Sequence, residues 1–229
     1  ALLQRLPTVR HGGHLLIFCH PITFCVRLQA GAYFSARLRE NCPAERSAAM
    51  EWFWYFLGYG FLGYVLEKAF ARIMRSERQV RKGFLFAPVC PVYGLAMCAF
   101  LALGAERIGR FHELALLGAG TASAVEYMVH WGYEKLLGVH FWDYSTTKMD
   151  VNGRICLPFS LAWGLLSALA VRCVQPAMAM LAARIPETIS MLVLFLFGLD
   201  ALWSTGILLR WGDVELLTPR ALRRKGRTA

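Results

Sequence analysis

Apolar residues run through this chain in long blocks, and the polar residues gather in the gaps between them. Five blocks can be marked: about Glu51–Ala71, Phe84–Ala105, Leu114–Leu137, Ile155–Val174 and Thr188–Leu209. A hydrocarbon core roughly 30 Å thick requires about 20 such residues of a spanning helix. The pattern therefore predicts an all-α, polytopic membrane protein with about five transmembrane helices over residues 50–210. Residues 1–49 differ: His11, His14, His20, Pro21 and six arginines break every apolar run there. Met50 stands directly before the first block, so residues 1–49 are predicted to be a non-native or disordered extension. Residues 211–229 are predicted to be a basic cytoplasmic tail.

Within the first block, Gly58, Gly60 and Gly63 match GxGxxG. That spacing marks a dinucleotide site only after a strand and at a helix start. Inside an apolar helix it predicts close helix packing instead. The second block carries Pro88 and Pro91 in its first turns, where each removes a backbone donor. Thirteen residues from Gly83 align without gaps on thirteen from Gly153: glycine, proline, glycine and leucine coincide, and Tyr93 falls on Trp163. Upstream of each copy a helix ends in Glu-Lys, at Glu67-Lys68 and Glu134-Lys135. Two helix-pair repeats plus a C-terminal helix are therefore expected, with any shared site at the repeat interface.

Composition sharpens the class. The chain is 57% apolar and 17% charged, with mean hydropathy +0.43; soluble domains are roughly 45–50% apolar. Its net charge of +10 comes from short flanks between blocks, which argues for orientation by positive loops and against nucleic acid as a partner. Fourteen Lys and Arg fall in the gaps after the first and third blocks and in the tail; four fall in the other two gaps. That asymmetry predicts an N-terminus outside and a C-terminus in the cytoplasm. The seven scattered cysteines include no CxxC pair and suggest neither a disulfide framework nor a zinc site.

The chemistry concentrates between Glu126 and Ser160. Glu126, His130 and Glu134 lie four apart on one helix face. Ionisable groups within a span are costly and mark candidate sites. Asp143, Asn152 and Arg154 follow in the loop, and Glu67 closes the first helix on the same predicted side. Together these seven residues form the candidate polar site, able to pass protons or ions or to hold a lipid head group. The plainer alternative is ion pairing, with Arg154 tying Glu134 or Glu67 to its own helix. Asp143 would cap a turn, Asn152-Gly153 would make a tight one, and Trp142 and Tyr144 would be interfacial anchors. Three consecutive turns of one straight helix span too far for Glu126, His130 and Glu134 to share an ion, so no metal and no cofactor is expected. Asp200 is a further acid in mid-span with no assigned partner.

The blocks GFLFAPVCPVYG, Glu126-Tyr127, WDYS and NGRICLPFSLAWG resemble the signature blocks of the CmpB family of type IV ABC-transporter membrane proteins, which has transmembrane relatives in eukaryotes. The resemblance covers roughly Phe53 to Pro176. It implies a small multi-pass membrane protein with a transport role, and it brings no catalytic residues. No GxxxxGK[ST] loop occurs, so ATP hydrolysis would require a separate ATPase subunit, and five spans would require that partner or a homo-oligomer. Membrane lipids are the remaining expected partners. A membrane-embedded enzyme or lipid-binding protein is the first alternative, and an assembly or scaffold protein the second. Ser145, Ser160 and Cys156 lack a base at a diagnostic spacing, which leans away from an enzyme.

Overall fold

The apolar blocks fold as helices in a computed structural model that describes residues 47–73 and 83–217. The expectations for residues 1–46 and for the basic residues beyond 217 lie outside the described residues. Helix α1 is Ala48–Ile73, α2 Pro91–Ala102 and α3 Phe111–Leu137. Helix α4 (Leu157–Leu169) continues through a π-helical stretch, Ala170–Val174, into α5 (Gln175–Ala182), and α6 is Glu187–Trp211. The π stretch lies just before Pro176, which has no N–H to return to the carbonyl four residues back. Among the described residues, two segments are long and apolar enough to cross a bilayer: the 26-residue run Leu157–Ala182 and the 25-residue α6.

Two departures from the pattern have clear causes. The block predicted over 84–105 is helical only from Pro91, and twelve residues rise about 18 Å, short of a bilayer core. Pro88 and Pro91 prevent an earlier start, and residues 84–88 bend instead. Their backbone is not left bare. The Asp200 carboxylate accepts the N–H groups of Phe86 at 3.1 Å and Ala87 at 2.9 Å, and the Gly60 carbonyl accepts Cys90 N–H at 2.9 Å. The mid-span acid of α6 is thus a backbone cap. The second departure is a small antiparallel hairpin, β1 (Asp150–Val151) with β2 (Ile155–Cys156), in an otherwise helical fold. Asn152 and Gly153 both have positive φ, 55° and 67°, and Arg154 N–H donates to the Val151 carbonyl at 3.1 Å. That is a type I′ turn, which Asn-Gly favours.

Close packing of backbones joins the helices in pairs. A Cβ at Gly94 of α2 would run into the Phe56 carbonyl of α1, and one at Gly164 of α4 into the Ala115 carbonyl of α3. Gly63 of α1 meets the Tyr93 ring in the same way, so GxGxxG serves packing. The main core lies among these four helices and includes Tyr55, Tyr59, Phe100, Leu114 and Ala168. A smaller core holds Val139, Leu208, Leu216 and Leu217. Residues 211–217, expected in the tail, therefore belong to the fold. Cys90, Cys98 and Cys156 are free thiols.

Candidate functional site

Helix α3 turns its polar residues inward. Glu126 is 7% exposed and His130 5%, while Leu116 and Met128 on the same helix are 68% and 60% exposed. The same buried face carries Leu114, Gly118, Ala122 and Val125, so the acid and the histidine are set into a largely apolar stripe. The buried side of α3 meets the loop and hairpin that follow it, and nearly every sequence-selected residue is engaged there.

Arg154 is the hub. Its Nη2 donates to Glu134 Oε2 at 2.7 Å, an ion pair between the turn before α4 and the end of α3. Its Nη1 donates to the Tyr127 hydroxyl at 2.7 Å, and its guanidinium lies 4.9 Å from the centre of the Tyr127 ring. Asn152 Nδ2 donates to the same hydroxyl at 3.0 Å. The Glu134 carboxylate and the Tyr127 hydroxyl hold the Arg154 guanidinium above its ordinary pKa. The Arg154 carbonyl accepts the Trp142 indole N–H at 2.9 Å, and the Trp142 carbonyl lies 2.9 Å from His130 Nε2. His130, Trp142, Arg154 and Glu134 are therefore linked in one chain of contacts.

Asp143 stands apart from that chain. It caps its own turn, accepting the Ser145 N–H at 2.8 Å and the Ser145 hydroxyl at 2.9 Å. These bonds hold its carboxyl below the usual range. The turn's stabilisation is complete above about pH 4 and is lost as pH falls through the lowered pKa.

Glu67 and Glu126 line a different feature, a half-open cavity of about 360 Å³ among α1, α2, α3 and α4 and the segments that join them. Its lining is mostly apolar and aromatic, including Tyr59, Tyr93, Trp142 and Trp163. Each acid accepts a tyrosine hydroxyl: half-buried Tyr93 donates to Glu67 at 2.7 Å and buried Tyr144 to Glu126 at 2.9 Å. Tyr59 adds a bond to Gln175 at 2.8 Å. The size and the few placed polar groups suit a small-molecule site.

The seven selected residues thus divide. Glu134, Asn152 and Arg154 converge around Tyr127, Glu67 and Glu126 line the cavity, His130 bridges through Trp142, and Asp143 is local. Arg154 takes Glu134 as its acid, and Glu67 is engaged by Tyr93. Tyr144 is not a surface anchor, being 2% exposed, and Trp142 is half-buried. Tyr127 and Tyr144 carry much of the network, and the only hint of that in the sequence was their place beside charged residues. His140, next to His130 with ring centres 5.3 Å apart, carried no helical spacing to single it out.

The described residues thus form a mostly helical bundle in which two segments are long and apolar enough to cross a bilayer. The chain belongs to the CmpB family, whose family model, described as "Putative ABC-transporter type IV", matches residues 54–205. No curated protein and no solved structure matches the chain.

Proposed function

We propose that this chain is the membrane-embedded component of a transporter without its own ATPase, and that the cavity among α1–α4 is its ligand site. Family membership supports the transport role, and the exposed Leu116, Met128 and Trp131 of α3 support a bilayer setting. The surface of α6 supports it too: Phe195 and Trp203 are 63% and 65% exposed, a patch that water would penalise. In this reading the chain has five spans, with α2 and its bent entry completing the second. The N-terminus is outside and the C-terminus cytoplasmic. The pairs α1–α2 and α3–α4 form a parallel repeat, supported by the matching packing of Gly94 and Gly164 and by the Tyr93–Trp163 ring contact at 5.4 Å. Turnover driven by ATP would come from a separate ATPase subunit, with a homo-oligomer as the other way to complete a pathway.

Topology is checked with single reporter cysteines at Arg78 and Arg224. Both are expected to label from the cytoplasmic side alone, and labelling of either from outside would reverse the assignment.

The cavity carries the functional reading. Two carboxylates in a mostly apolar, half-open cavity fit a largely hydrophobic molecule with a hydrogen-bond donor or a positive charge. Native mass spectrometry of the chain in detergent should find such an adduct, or should find a supplied hydrophobic amine retained. Glu126→Gln should lower retention by about tenfold, the weight of one charge-assisted bond. Equal retention by Glu126→Gln, or no retention by the wild type, would remove the cavity as a ligand site. A lipid-binding protein that moves nothing is the second reading, favoured by the same apolar lining. Retention without flux in proteoliposomes containing the ATPase subunit would select it.

A further inference from the structure

The loop after α3 brings His140 back beside the helix it has just left. One ring nitrogen each of His130 and His140 and one carboxylate oxygen of Glu134 lie within 4.8 Å of one another. We propose that His130, Glu134 and His140 bind a divalent transition-metal ion, with zinc(II) the best fit. Two imidazoles and a carboxylate are a donor set suited to zinc, and three protein ligands leave one coordination position open. This site goes beyond the transport reading and does not depend on it.

A second observation is independent of the spacing. His130 is almost wholly buried, and its Nδ1 has no hydrogen-bond partner among the described residues. Its Nε2 lies 2.9 Å from the Trp142 carbonyl, which can only accept, so Nε2 carries the proton and donates. Nδ1 is then a bare lone pair, and His130 can ligate through it without losing the Trp142 bond. A metal-bound histidine commonly holds its other N–H against a backbone carbonyl in this way.

Glu134 can serve while paired. Arg154 holds its Oε2 at 2.7 Å, and Oε1 makes no hydrogen bond among the described residues. The guanidinium beside it lowers affinity for a cation, so this site binds more weakly than the same three ligands would alone. Tetrahedral ligands about 2.1 Å from zinc lie roughly 3.4 Å from one another. The set must therefore close slightly around the ion, and exposed His140, beyond the end of α3, is the ligand free to move.

The sequence-based argument against a metal holds for Glu126, His130 and Glu134, which spread along one helix. It does not cover a ligand that returns from the loop, and His140 takes the place that Glu126 cannot fill.

The experiment uses the full chain with His11, His14, His20 and His112 replaced by alanine, leaving His130 and His140 as its only histidines among the six. Calorimetric titration with zinc chloride should give one equivalent bound, and zinc should raise the thermal midpoint by mass action. Adding His140→Ala should weaken binding at least tenfold, since even outer-shell changes cost about 10–100-fold. His140 is exposed, so this variant should keep its zinc-free midpoint and lose only the zinc-dependent rise. Absence of a zinc-dependent rise in the two-histidine chain would overturn the proposal. So would unchanged binding in His140→Ala.

Discussion

Gly164→Val is expected to destabilise the protein by about 3 kcal/mol or more, the upper range for forcing atoms into a packed interface. The side chain would enter space occupied by the Ala115 carbonyl and, at 2.8 Å from its first carbon, by the Ala119 side chain. A backbone carbonyl inside a helix cannot swing aside as a flexible side chain can. Relief must come from separating α3 and α4 along their length. Gly94→Val should behave alike, because its obstacle is the Phe56 carbonyl of α1. A Cβ at Gly120 of α3 would meet nothing within 4 Å, so Gly120→Val is the control and should change stability by less than about 0.5 kcal/mol. Thermal unfolding in detergent measures all three. Equal midpoints for Gly164→Val and Gly120→Val would contradict the close approach of α3 to α4.

Arg154→Ala should lower the thermal midpoint more than any other single charge removal among the described residues. The change strips Glu134 of its cation, leaves the Tyr127 hydroxyl with Asn152 alone, and removes the stacked guanidinium. Glu134→Ala should also destabilise, and the double variant should recover part of the combined loss, as interacting pairs do. Arg154→Lys should not rescue the fold. An ammonium cannot reach two partners in a fork while stacking on a ring. The measurements belong in the presence of a chelator, so that zinc occupancy does not enter. Strict additivity of the two single losses would show that the ion pair contributes nothing to the fold.

Much of this architecture was legible in the sequence because hydrophobic blocks report helices directly. α1, α3 and α6 start and stop within a few residues of their expected bounds, and Asn152-Gly153 forms the tight turn its residues favour. The first half of the second block misled because composition does not reveal missing donors. Pro88 and Pro91 remove N–H groups, and the bend they impose depends on Asp200, more than a hundred residues away. The site shows the same division. Glu126, His130, Glu134 and Arg154 stood out because charge in an apolar setting is costly. Their partners, Tyr127, Tyr144 and His140, are residues that water or lipid would also accept. The loop after α3 selects them, and helical spacing says nothing about where such a loop returns.

The cap that Asp200 places on residues 86 and 87 also limits how the molecule can deform. Sliding or rotating α6 on its own would pull the carboxylate from two N–H groups that have no helical partner at that bend, exposing them in an apolar surround at several kcal/mol each. α6 and the entry to α2 are therefore latched as one mechanical unit.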